Sequence, residues 1–430
     1  MKPKILTILT VALLLGSSSC IRKESTQPVD YNHRDYFSAR FENYFSPGET
    51  GIMIFLSDQN GNLLSEKWIN GQTSVTLYPQ QGTLFPATIT ETLVYTSPGE
   101  GGKTMVHLYS YLQIMPASWI WKTFESVSTG SAILNFTNVP PLTAYSISSY
   151  SGWIHGDALS SAATINLGKD PDNIYLLMNT TGQGFRYKWL TGYSPSSQHT
   201  VDLSSMDTPL SKVIPIPGTS SLHYQLNGYL PSGEHAKGYY TVDYGGGTGT
   251  YMDSVVLHFP ATIFNDFEFN INSIDPSDSH KQWYQYTFGT IPNSVGYLNG
   301  DISVLNSAPD NFHVQTSGTF DRLGSSWEAN PIGPYRYQWT VYGAPTFTTF
   351  KFPVLPEDLA KVYTGFSADS LKLSSVEIKE FSQISSYYDL IQKMFVSGNY
   401  IANIVSGYSG LIRYMPASKK ANNPGRGKGI

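Results

Sequence analysis

Nucleophiles, acids and metal ligands are the residues through which a protein does covalent chemistry, and this chain places them sparsely. Cys20 is the one cysteine among 430 residues. It closes the run VALLLGSSSC, at the end of an apolar stretch, where no histidine stands near to activate it. The nine histidines are scattered, and none lies in the H-E-x-x-H or H-x-H spacing that sets two imidazoles on one metal. GYSG at Gly407–Gly410 has only part of the G-x-S-x-G nucleophile elbow and lacks the strand–turn–helix setting that exposes such a serine. A glycosidase needs two carboxylates across a cleft, but with 32 acidic residues a pair is always conceivable, so the criterion decides nothing. DQNGN at Asp58–Asn62 lacks the alternating acids and distal glutamate of an EF-hand and reads as a hairpin turn. No catalytic residue, metal or cofactor is expected.

Aromatic residues are the remaining candidates. The chain carries 30 tyrosines, 21 phenylalanines and 8 tryptophans, and aromatic faces stack on the C–H faces of sugars. In FRYKW (Phe185–Trp189) and YRYQW (Tyr335–Trp339), strand alternation puts Tyr187 with Trp189, and Tyr337 with Trp339, on one face. That face is either core or platform, and core is the commoner use. Trp327 falls within FDRLGSSWEANPIGP, which reads as a loop insertion, and loops carry a disproportionate share of binding residues. Trp327, Trp189, Trp339 and Tyr337 are therefore the candidate ligand-binding residues.

The elements that must hold these residues are strands. Only 14% of residues are charged, Gly and Pro are frequent, and short β-branched and aromatic runs alternate with turn formers, which predicts an all-β chain. GIMIFLSDQNGNLLSEKWINGQTSVTLYP reads as strands in series broken by Asn-Gly turns. It resembles prealbumin-like or immunoglobulin-like sandwich domains of cell-surface proteins. YGGGTGTY at Tyr244–Tyr251 reads as a flexible hairpin loop, without the strand–helix setting of a phosphate cradle. Near the C-terminus LKLSSVEIKEF is strand-like. In SSYYDLIQKMF, Tyr387, Leu390, Ile391, Met394 and Phe395 share a helical face, with Ser385 or Ser386 as cap.

Four segments recur in order. FPATI is found at Phe85–Ile89 and Phe259–Ile263, and GWIHGD at Gly152–Asp157 is matched by GYLNGD at Gly296–Asp301. PDNIY at Pro171–Tyr175 is matched by PDNFH at Pro309–His313, and FRYKW by YRYQW. This predicts a diverged tandem duplication of β-sandwich units at 46–217 and 218–365, with VIPIPGTSS (Val213–Ser221) as linker. A strand–helix segment at 366–416 and a basic tail at 417–430 follow.

The N-terminus supplies the address. Lys2 and Lys4 precede an apolar core from Ile5 to Leu15, then Gly16 and three serines, which is the layout of a secretory signal and too short to span a bilayer. Small residues before a lone cysteine resemble the lipobox of Bacteroidota-type cell-envelope lipoproteins, with Ser17 where an aliphatic is usual. The resemblance implies a signal at 1–19, lipid on Cys20 and a polar tether at 20–45. It also implies a protein anchored in the cell envelope, at the outer membrane. The expected partners are that membrane and either a polysaccharide or an envelope protein. Without the two signal lysines the chain has 25 basic against 32 acidic residues, so no nucleic-acid footprint is expected. The sequence therefore points to a non-catalytic envelope protein that binds or presents an extracytoplasmic ligand. The competing class is a glycosidase or peptidase with a site between the two units.

Overall fold

A computed structural model describes residues 37–42, 52–69, 74–78, 86–97, 102–122, 128–231, 238–329, 335–362, 366–398 and 401–416. Cys20, the signal, the second Asn-Gly pair (Asn70-Gly71), Phe85 and the basic tail lie outside them. The first strands are β1 (Phe37–Glu42), β2 (Ile52–Ser57), β3 (Leu63–Ile69), β4 (Ser74–Leu77), β5 (Ala87–Ser97), β6 (Lys103–Ile114) and β7 (Ser118–Lys122). Next come β8 (Gly130–Thr137), β9 (Leu142–Ser148), β10 (Trp153–Gly156), β11 (Ala162–Leu167), β12 (Asp172–Thr180), β13 (Gly184–Tyr193) and β14 (Gln198–Asp202). Then follow β15 (Leu210–Tyr229), β16 (Tyr240–Phe259), β17 (Asp266–Ile274), β18 (Lys281–Gly289), β19 (Gly300–Asn306), β20 (His313–Gly318), β21 (Arg322–Ala329) and β22 (Tyr335–Gly343). The short helix α1 (Glu357–Val362), β23 (Leu371–Phe381), α2 (Tyr387–Ile391), α3 (Ile401–Ile404) and β24 (Gly407–Tyr414) complete the order. The fold class is all-β, as expected.

Strands β8 to β14 form a sandwich of two sheets, ordered β10-β9-β12-β13 and β11-β8-β14. Alternation builds its interior: Leu134 and Phe136 from β8, Ile147 from β9, Ile165 and Leu167 from β11, and Ile174, Leu176 and Met178 from β12. The intervening β12 residues, Tyr175 and Leu177, point the other way and are also buried. A second core covers that outer face, so β12 reads as a nearly continuous apolar run. The first strand, β8, lies between the fourth and the seventh, whereas in the constant-type immunoglobulin order the first lies beside the second.

The other major feature is a twelve-stranded sheet, ordered β16-β15-β17-β18-β24-β23-β21-β22-β6-β5-β2-β3. Both faces of its β2 end are covered, which is why all six residues of β2 are buried. Met53 and Phe55 face a core with Trp327, Tyr337, Trp339 and the β19–β20 hairpin. Ile52, Ile54 and Leu56 face a second core with the small β4-β1-β7 sheet and α2. The DQNGN turn joins β2 to β3 as a hairpin: the Asp58 Oδ1 accepts from the Asn60 and Asn62 amides at 2.8 Å each, and Gly61 takes φ +84°. The C-terminal helix also forms as read. The Ser386 hydroxyl accepts from the Asp389 amide at 3.2 Å, and Tyr387, Leu390, Ile391 and Phe395 are buried beneath it.

Several long-range expectations change. The boundary at 217/218 falls inside β15, and VIPIPGTSS is strand rather than linker, because Ile214 and Ile216 alternate into a core. YGGGTGTY is likewise no loop: it lies within β16, with His223 opposite Gly246 and Leu222 opposite Gly247. The recurring segments do not occupy equivalent strands. Ala87 starts β5, whereas Phe259 ends β16; Asp172 starts β12, whereas Asp310 lies in a turn. FRYKW lies in β13, paired with the PDNIY strand β12, while YRYQW lies in β22, paired with β21 and, in parallel, with β6. The recurrences are the same turn and strand chemistry used in different places. The strands of the DQNGN region enter the large sheet and the small one, and the sandwich is built instead from residues 130–202.

Candidate functional site

The four candidate aromatic residues are packed inward. Trp327 is a strand residue of β21 opposite Trp339, and Trp327, Trp339 and Tyr337 are at most 1% exposed. The Trp327 indole donates to the Ser325 hydroxyl at 3.0 Å, and that of Trp339 to Ser110 at 2.8 Å, so both polar atoms are satisfied in the core. Phe350 and Phe352 stand edge-on to Trp327. The period-2 pattern Leu323, Ser325, Trp327, Ala329 carries the signal that this segment is strand. Trp189 is half-buried, edge-on against Tyr240 and Phe264. The alternation read in RYKW and RYQW does hold: Arg186 bonds Thr208 and Lys188 bonds Ser205, away from the tyrosine–tryptophan face. These four residues support the core rather than a ligand surface.

An aromatic surface does exist, on residues not singled out for it. On β10, Trp153 and His155 project from the same face, while Ile154 between them packs into the sandwich. Their rings stack at 4.5 Å and 28°, and Tyr244 of β16 meets both edge-on or tilted, at 5.0 and 4.9 Å. The neighbouring strand explains why they gather there. β9 presents the small residues Ser146 and Ser148 on this face, opposite His155 and Trp153. Ser148 accepts from the Thr241 amide at 2.7 Å and so brings β16 close; Ser146 accepts from the Trp153 indole at 3.0 Å and fixes its ring. β16 packs on β9, β12 and β13, and Trp153 on the edge strand β10 keeps 36% of its surface exposed. The signal was available in the alternation of Trp153-Ile154-His155, but the partner Tyr244 comes from 91 residues away in sequence.

Buried carboxylates are concentrated at the seam between the sandwich and β16 and in one other place. Asp172 is fully buried at the start of β12. Its Oδ2 accepts from the Gly168 amide at 2.9 Å and the Tyr150 amide at 3.2 Å. Its Oδ1 accepts from Asn173 at 2.7 Å and from the Tyr240 hydroxyl at 3.0 Å. It is a joint between sandwich and β16, which leaves its oxygens occupied by protein donors. Asp243 is also buried. Burial raises its carboxyl above the ordinary range, against the lowering pull of His258, whose amide and Nδ1 lie at 2.7 and 3.3 Å. The His258 ring stacks on Phe185 of β13 at 3.7 Å, so this pair too is part of the seam.

The second polar centre lies on the large sheet. Glu377 Oε2 is 2.7 Å from Arg322 and Oε1 is 3.6 Å from Lys379, and the Tyr284 hydroxyl donates to the same carboxylate. Burial by itself would raise the Glu377 carboxyl, but the two cations outweigh it and hold it at about 2. Burial pushes the Lys379 ammonium down to about 8 despite Glu377. The surplus positive charge rests on rings, with Arg322 4.3 Å from the Tyr342 centroid and Lys379 4.7 Å from that of Tyr408. Among the described residues no three His, Cys, Asp or Glu side chains are grouped to hold a metal ion. No described helix is long and apolar enough to cross a membrane, which leaves strand-crossing untouched.

No protein-family model matches the chain, and no curated protein matches it. Among solved structures it is similar to a candidate adhesin from Bacteroides ovatus ATCC 8483, at 10% identity and a TM-score of 0.17, over 41% of this chain and 94% of that one. At that score the likeness assigns neither fold topology nor role. The class of the chain therefore rests on its own geometry, an all-β protein joining a seven-stranded sandwich to a twelve-stranded sheet.

Proposed function

We propose that this chain is a non-catalytic lipoprotein of the cell envelope, anchored through Cys20, which holds its sandwich outside the cytoplasm for contact with a ligand. The observation that carries the binding role is the exposed cluster of Trp153, His155 and Tyr244. A tryptophan fixed by a hydrogen bond and left accessible at a domain edge is preorganised for contact, because its ordering cost is already met in the free protein. The lipobox-like run ending at Cys20 supports the anchor. The tether expected at 20–45 is cut short by β1, whose Phe37, Ala39 and Phe41 are buried in a core, so only the polar residues before Phe37 support a spacer. The buried carboxylates support the same reading: Asp243 bonds to His258 and Glu377 pairs with Arg322, each holding elements together.

The test is metabolic labelling with radioactive fatty acid followed by fractionation. The wild-type chain is expected in the membrane fraction with label. Cys20→Ser should be unlabelled and released. Continued membrane retention of the Cys20→Ser chain defeats the anchoring half of the proposal.

A further inference from the structure

We infer that the Trp153–His155–Tyr244 platform takes the flat C–H face of a pyranose ring in a neutral polysaccharide. The inference rests on the binding role proposed above and supplies its ligand class.

Three observations select that chemistry. The first is shape. Trp153 is held by Ser146 and braced by His155 and Tyr244, so its indole is a fixed surface rather than a mobile side chain. Aromatic faces carry partial negative potential and attract polarised C–H groups, which a pyranose presents as a flat array. The second is size. Trp153 keeps 36% of its surface exposed and His155 is exposed beside it, while Tyr244 is half-buried. A stable protein–protein contact covers roughly 800 Å² on each partner, whereas this cluster matches one or two sugar rings. The third is charge. Asp157 is exposed beside the platform, and the whole chain carries a net charge of −5. An acidic polysaccharide would be repelled, and a neutral one would not.

The experiment is affinity electrophoresis of the mature chain through gels containing soluble mannan, mixed-linkage β-glucan or galactan, with polygalacturonate as the acidic comparator. At least one neutral polymer should retard the wild type. Trp153→Ala and Tyr244→Ala should each weaken that retardation by about tenfold, the loss of one well-placed aromatic contact. Trp153→Phe, which keeps a ring at the site, should retain part of it, and Tyr388→Ala, at a remote exposed tyrosine, should change nothing. Circular dichroism of each variant confirms that the sandwich is folded. The inference is overturned if no neutral polymer retards the wild type, if Trp153→Ala migrates like the wild type, or if polygalacturonate binds more strongly. A photo-crosslinker at position 153 separates the two levels of the proposal. A protein adduct on intact cells would remove the glycan and keep a binding role for this face; no adduct together with no retardation removes both.

Discussion

Replacing Glu377 with glutamine keeps the shape of the side chain and removes the negative charge that faces both Arg322 and Lys379. The distances of 2.7 and 3.6 Å mean that both cations lose their nearest compensation at once. Breaking a buried pair by neutralising one partner typically costs about 3–5 kcal/mol. The Glu377 side chain retains 21% of its surface exposed, so solvent screening places the expected loss near the lower end, about 3 kcal/mol, or a factor of roughly 150 in the unfolding equilibrium. The pH dependence has a definite sign. The folded carboxyl titrates at about 2, below its ordinary value of 4.5, so its contribution is complete above pH 4.5 and is lost as pH falls through 2. Lys379 is depressed to about 8 from 10.5, so it opposes folding while protonated, and that penalty is relieved as pH rises from 8 towards 10.5. In Glu377→Gln the relief should begin at lower pH, because the partner that favoured the charged lysine is gone. Urea unfolding followed by tryptophan fluorescence at pH 3, 5, 7 and 9 reads all of this. A Glu377→Gln chain within 1 kcal/mol of wild type at pH 7, with an unchanged acid limb between pH 5 and 3, would refute the reasoning. Lys379→Met in the same background removes one surplus cation and should recover part of the loss.

Other perturbations address the seam and the cores. Asp172→Ala leaves several buried donors without a partner, including the Gly168 amide and the Tyr240 hydroxyl, and should cost about 2–4 kcal/mol. Hydrogen exchange should quicken in β12 and the start of β16 together; unchanged protection in both would contradict a joint at Asp172. Trp327→Ala empties a fully buried site and should destabilise by about 3–5 kcal/mol while leaving polysaccharide retardation intact, so a loss of retardation in the folded variant would restore Trp327 as a ligand contact. Gly246→Ala places a Cβ against the Leu222 carbonyl oxygen at φ +145° and should destabilise the β15–β16 ribbon by about 1–3 kcal/mol, seen as a lower thermal midpoint; an unchanged midpoint contradicts that backbone geometry.

What the sequence determined by itself was local. The alternation of Tyr335, Tyr337, Trp339 and Val341 made β22 a strand with one apolar face. The Asp-x-Asn-Gly-Asn run made a hairpin, and Ser386 before an apolar helical face made α2. Each of these follows from torsional preference and from side-chain periods that a few consecutive residues carry complete. Partnership was decided only by the tertiary structure. β22 runs parallel to β6, which puts the Trp339 indole against Ser110, 229 residues away, and Tyr244 reaches Trp153 across the sandwich seam. The recurring FPATI and RYxW segments resembled each other because similar turns and strands need similar residues. Yet RYKW lies in the sandwich and RYQW in the twelve-stranded sheet, while FPATI opens β5 in one copy and starts at the end of β16 in the other. Trp327 read as a loop tip because neighbouring glycine and proline masked its alternation, and it became core once β22 and β23 flanked it. The physical reason is that backbone hydrogen bonds are the same for any two strands. Which strands pair, and which aromatic faces remain in water, is set by burial of side chains from distant parts of the chain, which no local pattern encodes.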